Sequence, residues 1–285
     1  MDKDGTQELP GAYSKRYFEN KTRLRSSRCA SCYKTKSVMH NFLKSSWCEF
    51  RNYWNQFNDG FPEKHIGFDA EEFVHYCDVK QDESTLEIGV GGGNSCRLIA
   101  EIARECFFID FNWKAVNAQR RRDPCLNILQ ADGIELPFED RSFSKVLARY
   151  VVHNFPDHTF RTKFYAESAR VLLPGGELIL GMVPNRVGMF FDLKHYIDRE
   201  MWHRLQRKHN IFWPLSIREM KKELSELGLT FVHIRKTPEP NIHGLYHKFR
   251  QAGRRFFLPL LVNDPIIYNF VDIKFKKVGE SVTKS

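Results

Sequence analysis

Ten residues, Leu86-Glu87-Ile88-Gly89-Val90-Gly91-Gly92-Gly93-Asn94-Ser95, restrict the fold more than any other stretch of this chain. An apolar run enters them, Glu87 stands just before the glycines, and the helical stripe Leu98, Ile99, Ile102 leaves them. That is the pattern of a strand, a tight turn and a helix. Glycine reaches positive φ and lets another group approach the bare backbone. Adjacent N–H groups at the helix start then face a polar ligand. Counting from Gly89, the Gly-x-Gly-x-x-Gly fingerprint needs its third glycine at the position of Asn94, so that pattern fails. The spacing met instead is acidic-x-Gly-x-Gly-x-Gly, on Glu87, Gly89, Gly91 and Gly93.

Two more carboxylates follow at strand ends. Cys106-Phe107-Phe108-Ile109 reads as a short buried strand ending at Asp110, 17 residues after Gly93. In a doubly wound sheet that position faces the ribose of a nucleotide-like ligand, and a carboxylate there accepts both hydroxyls. A helix cap is the other reading of Asp110, because Asn112 and Trp113 open the next helix. Leu126 to Gln130 reads as a third strand, with Ala131, Asp132 and Gly133 after it. Val146-Leu147-Ala148 begins a fourth strand and opens into Arg149-Tyr150-Val151-Val152-His153-Asn154. Further along, Phe160 to Arg170 reads as a helix and Pro174-Gly175-Gly176 as the turn into a fifth strand. Ser216 and Glu219 form a capping box, Gly228 stops that helix, Leu229 to Ile234 is a sixth strand, and Tyr268 to Lys276 is the last.

The glycine spacing resembles the first motif of class I S-adenosylmethionine-dependent methyltransferases. The run Ala131-Asp132-Gly133-Ile134-Glu135-Leu136-Pro137-Phe138, continued by Asp140, Ser142, Phe143 and Val146, resembles a second segment of that family in register. Arg149 to Asp157 is similar to the Arg-Phe-Ala-x-His-His-Phe-x-Asp segment of the ubiquinone- and menaquinone-biosynthesis-type members, with Asn154 in place of the second histidine. Arg170 to Gly176 resembles their turn into the fifth strand. One departure is Ser144, where the family usually has aspartate, a change read as structural. The resemblance covers residues 70 to 235.

The resemblance implies an α/β fold. It is a doubly wound, Rossmann-like, seven-stranded sheet with helices on both faces, plus an N-terminal helical region and lid insertions. It implies S-adenosyl-L-methionine as cofactor, held by Glu87, Gly89, Gly91, Gly93, Asp110, Phe111, Asp132, Gly133 and Arg149. Within that set Asp132 meets the adenine amino group and the Gly133 backbone meets a ring nitrogen; Arg149 reads as holding the cofactor's carboxylate or an anionic substrate group. His153 is a candidate proton acceptor, alternatively a packing residue of the wall, and Tyr150 is the second catalytic candidate. The acceptor reading is an oxygen, carbon or nitrogen of a small or lipid-like molecule. RNA or protein is the alternative acceptor, and a non-catalytic cofactor-binding subunit is the reading from another class.

Composition bounds the remaining choices. The chain has 285 residues, 42% of them hydrophobic, which suffices for a sizeable core. A formal net charge of +9 favours anionic partners without choosing among nucleic acid, membrane surface and phosphorylated molecules. Seven cysteines, an odd number irregularly spread, make no disulfide framework, and the polar N-terminus reads as no secretory signal, so a cytoplasmic protein is expected. Cys29, Cys32, His40 and Cys48 follow C-x2-C-x7-H-x7-C, but the paired second half of a zinc finger is missing and no metal is expected.

Residues 1–68 read as an arm and an aromatic helical cap, and 69–285 as the catalytic domain. Insertions fall at about 188–214 and 238–265. The first insertion mixes Phe190, Phe191 and Trp202 with Arg204 and Arg207, the composition of a substrate lid or of an amphipathic packing helix. The second, through Lys248 to Leu258, alternates bases with aromatics and suits a peripheral contact with an acidic membrane or a nucleic-acid backbone.

Overall fold

The computed structural model describes residues 70–155, 158–185, 215–237 and 270–279. The N-terminal arm and cap, the four candidate zinc ligands and both insertions lie outside the described residues.

The chain builds α1 (Ala70–Cys77), β1 (Ser84–Ile88), α2 (Asn94–Ile102), β2 (Glu105–Asp110), α3 (Trp113–Arg122) and β3 (Ile128–Gln130). β4 (Phe143–Arg149), α4 (His158–Val171), β5 (Leu172–Pro184), α5 (Ile217–Glu226), β6 (Leu229–Lys236) and β7 (Phe270–Lys277) follow. The seven strands make one sheet in the order β3-β2-β1-β4-β5-β7-β6. The first five run parallel, and β7 lies antiparallel between β5 and β6. Strand order reverses beside β1: the chain moves outward to β2 and β3, then returns to β4 on the other side. Open α/β sheets bind ligands at the carboxyl ends of strands at such a reversal.

Strand periodicity sorts the core into two layers. Leu86, Ile88, Phe107, Ile109, Val146, Ala148, Leu178 and Leu180 point to one face and pack with Phe164 and Tyr165 of α4 and Met220 and Leu224 of α5. Phe108, Leu147 and Ile179 point to the other, among Phe73 and Val74 of α1, Ile99 of α2 and Val116 of α3. Successive side chains alternate, so Glu87 lies on the α2 side between Leu86 and Ile88.

Several boundaries differ from the sequence reading. β3 begins at Ile128 rather than Leu126, and β4 begins at Phe143 rather than Val146. The longer β4 takes in Ser144, whose N–H donates to Ser84 Oγ at 3.1 Å, stitching β4 to the start of β1. The Pro174–Gly176 turn is a bulge inside β5: pairing to β4 jumps from Leu172 to Glu177, with Gly175 at φ +82°. The capping box at α5 forms, Ser216 Oγ accepting from Glu219 N–H at 3.3 Å.

Candidate cofactor and acceptor cleft

β1 delivers its carboxyl end directly into the glycine turn. Gly89, Gly91 and Gly93 all adopt positive φ, at 81°, 49° and 78°. Gly89 and Val90 N–H donate to Ile109 O at 2.8 and 3.3 Å, so the turn is anchored to β2. A Cβ on Gly89 would lie 2.5 Å from Val151 Cγ2, and one on Gly93 would lie 2.2 Å from Gln119 Oε1. Gly91 has nothing within 4 Å of that position.

Asp110, at the end of β2, is buried yet borders the cleft. Oδ2 accepts from Gly91 N–H at 3.0 Å and Oδ1 from Asn112 N–H at 2.8 Å. One carboxylate thus steadies the glycine turn and the start of α3 together, while the cap of that helix is Asn112, whose side chain accepts from Lys114 N–H at 3.0 Å. Burial raises its carboxyl above the ordinary range, against the opposing pull of the Asn112, Gly91 and Phe111 backbone N–H groups. Ala131 N–H donates to Asp110 O at 3.0 Å, bringing the end of β3 alongside, and Asp132 follows there with Oδ1 accepting from Ile134 N–H at 3.2 Å.

Glu87 is the deepest of the three carboxylates, buried beneath the turn. It accepts from the Ser95 hydroxyl and, at 3.4 Å, from the Cys96 thiol, both in the first turn of α2. Burial raises its pKa, while the Ser95 bond and the Arg149 charge pull it down. Arg149, at the end of β4, carries its guanidinium over the Phe73 ring of α1 at 5.7 Å. Phe73 in turn packs against Gly181, where a Cβ would lie 2.3 Å from its ring.

These residues line one cleft enclosing about 1190 Å³, the open space at its mouth included. All nine residues expected to hold a cofactor border it: Glu87, Gly89, Gly91, Gly93, Asp110, Phe111, Asp132, Gly133 and Arg149. Tyr150 borders it too. His153 does not. It is fully buried in the 3-10 turn Val152–Asn154, its ring edge-on to Tyr150 at 4.1 Å between centroids. Burial pushes its pKa down to about 3, a poor match for a general base near neutral pH. Of the two sequence readings of His153, proton acceptor or packing residue of the wall, its buried position outside the cleft lining favours packing.

Val151, Asn154, Phe155 and Met182 are among the lining residues that escaped the sequence reading as site residues. Val151 fills the space that the missing side chain of Gly89 leaves, and Phe155 adds an apolar wall. Asn154 takes the lining place beside His153; Nδ2 donates to Tyr150 O at 2.8 Å, which turns its amide oxygen away from that carbonyl. Met182 enters through a β5 bulge. Its φ is +51°, and its N–H donates to buried Asp272 Oδ1 at 2.9 Å. Tyr150 also sits at positive φ, 58°. Two non-glycine residues in left-handed backbone on the same cleft wall mark a place where surrounding contacts hold strain. The only sequence signal for them was proximity to the ends of β4 and β5.

A buried carboxylate stands at the end of β2, bare backbone lines the turn, and Ile88, Val90 and Phe111 give apolar walls. A family model described as "Methyltransferase domain" matches residues 86–180. The chain is 36% identical over 102 residues to a probable S-adenosylmethionine-dependent methyltransferase of Mycobacterium tuberculosis, covering 36% of this chain and 36% of that protein. It is 34% identical over 126 residues to a demethylmenaquinone methyltransferase of Corynebacterium urealyticum, covering 44% of this chain and 53% of that one. The chain thus spans about half, or less, of the length of these curated relatives. The crystal structure of a methyltransferase-like protein from Bacillus halodurans superposes with a TM-score of 0.53 at 19% identity, over 74% of this chain and 99% of that one. Sheet order, glycine turn and matched segment agree: residues 86–180 match a methyltransferase domain, set in a Rossmann-like seven-stranded sheet like that of methyltransferase structures.

Proposed function

We propose that this chain transfers a methyl group from S-adenosyl-L-methionine to an oxygen, carbon or nitrogen of a small or lipid-like acceptor. The observation that carries the reading is the convergence of Asp110, Asp132, Glu87 and Arg149 around one glycine turn. In this reading the Asp110 carboxylate holds the ribose diol, Asp132 and the Gly133 backbone hold the adenine edge, and Arg149 holds the carboxylate of the amino-acid end. When bound, the sulfonium supplies an electrophilic methyl group.

The chain's own residues then orient and enclose. Tyr150, Asn154, Phe155 and Met182 form the wall nearest the ends of β4 and β5, where an acceptor would be held in line and water kept out. Alignment of that kind supplies much of the rate in a displacement. A base is needed only for a poorly nucleophilic acceptor, and Tyr150 is the candidate. Names among the relatives, demethylmenaquinone methyltransferase in particular, favour a small apolar acceptor. The +9 charge keeps an RNA or protein acceptor as the second reading.

Two measurements test this. Calorimetry with S-adenosylhomocysteine should give one site per chain, weakened at least about tenfold in Asp110→Ala. Labelled methyl from S-adenosylmethionine should enter the small-molecule or lipid fraction of a cell extract rather than RNA or protein. An Asp110→Ala protein that stays folded and binds as wild type removes Asp110 from the site. Label found only in RNA reverses the acceptor ranking.

A further inference from the structure

α3 meets the glycine turn through two of its side chains. Gln119 Nε2 donates to Gly91 O at 3.1 Å, and Arg122 Nη1 donates to Gly92 O at 3.1 Å. Two side chains from one helix thus hold two successive carbonyls of the turn. Gln119 is buried, at 2% exposure, so its amide is fixed by packing. Its side chain also fills the space over Gly93, where a Cβ would lie 2.2 Å from Oε1. No peptide among the described residues is cis. In a trans peptide the C=O and the next N–H point in opposite directions. With Gly91 O turned to Gln119, the Gly92 N–H points away from α3. Gly92 lines the cleft. On the same turn, Gly91 N–H is already committed to Asp110 Oδ2.

We propose that Gln119 and Arg122 are positioning residues that clamp the glycine turn in its ligand-ready shape before any ligand arrives. The proposal deepens the methyltransferase reading and rests on it for the identity of the ligand. The clamp explains why a stretch with three positive-φ glycines, which alone would sample many shapes, presents one backbone surface. Holding the turn in advance removes an ordering cost from binding. It also gives Gly93 a second reason to be glycine, namely room for Gln119. Asp110 at the end of β2 accepts from Gly91 N–H, so residues of both β2 and α3 hold the same turn.

The test uses the full chain with Gln119→Met, which keeps the shape and loses the donor. Arg122→Met is its partner, changing an exposed residue that leaves the core untouched. Three readouts are taken: S-adenosylhomocysteine affinity by calorimetry, ligand-free amide exchange at residues 91–95, and the thermal unfolding midpoint. The expected result for Gln119→Met is affinity weaker by about tenfold, the scale of one lost hydrogen bond. Exchange in the turn should be faster, with the midpoint nearly kept. Arg122→Met should shift both in the same direction by about threefold, as an exposed bond does. Wild-type affinity and wild-type exchange in both variants would overturn the clamp. So would affinity that falls only in step with the midpoint while exchange in the turn stays unchanged. Failure of the wild type to bind S-adenosylhomocysteine would instead overturn the cofactor reading, and the ligand-free exchange would still decide the clamp.

Discussion

Gly91 and Gly93 carry similar positive φ but differ in what surrounds them, and the difference predicts two phenotypes. Alanine at Gly91 meets open space, so it bears only the left-handed backbone penalty, about 1–2 kcal/mol. Alanine at Gly93 bears that penalty and must also displace the buried Gln119 amide. Gly93→Ala should therefore lower the thermal unfolding midpoint of the ligand-free protein well beyond Gly91→Ala. Glu87 predicts a pH effect. Its folded-state pKa is raised, chiefly by burial, so its ionisation opposes folding once pH exceeds the ordinary glutamate value of 4.5. That contribution to stability is complete below 4.5 and is lost as pH rises through the folded-state pKa. Glu87→Gln should then unfold at a higher temperature than wild type at pH 7, with the gap closing as pH falls toward 4.5. Scanning calorimetry across that range checks the sign, and an unchanged gap would show that burial of this carboxyl is not what strains the site.

Among elements, α4 does more than cover the sheet. Arg170, near its end, donates to Glu167 twice at 2.8 Å, to Asp140 Oδ1 at 2.8 Å, and to the carbonyls of Phe138 and Leu136 at 2.8 and 3.1 Å. Glu167 Oε2 accepts from Leu136 N–H at 2.7 Å in return. The loop from Leu136 to Asp140, which follows Asp132 and Gly133, is fastened to the helix by this knot. Arg170→Ala should lower stability by about 1–3 kcal/mol in urea titration, given charge-assisted bonds at a partly exposed group. Proteolysis should then cut first between residues 133 and 142. At the other side of the cleft, buried Asp272 of β7 accepts from Met182 N–H, from Thr237 Oγ1 at 2.7 Å and from Arg235 Nε at 3.0 Å. Arg235 Nη2 continues to Glu72 O at 2.8 Å, so the antiparallel strand links α1 to the bulge that carries Met182 into the cleft.

On the scale of the molecule, a chain of net charge +9 holds a cleft bordered by three carboxylates and Arg149 among the described residues. Net positive charge favours anionic partners, whereas three of the four charged residues named at the cleft are carboxylates. A small acceptor bound in the cleft depends on the inner balance, and a polyanion depends on the outer one. Methyl transfer to a small molecule at saturating substrate should therefore change little between about 50 and 200 mM salt, whereas transfer to RNA would fall steeply. Rates measured in both fractions at both salt concentrations decide between them.

The order of elements along the core, the glycine turn and the carboxylates Glu87, Asp110 and Asp132 were legible in the sequence. Each rests on local chemistry: strand and helix periods, glycine at positive φ, and an acidic residue at the end of an apolar run. Packing from distant residues decided the rest. His153 and Asn154 are neighbours in one segment, yet a single 3-10 turn buries the first behind Tyr150 and gives the second a place on the wall. Nothing local to Gln119 signals that it touches Gly91 and Gly93, because the contact exists only once α3 has packed beside the turn. Met182 reaches the cleft through a carboxylate 90 positions away in the chain, Asp272. Periodicity reports which face a residue takes within its own element; which neighbour occupies that face is settled when the sheet closes over its two layers of helices.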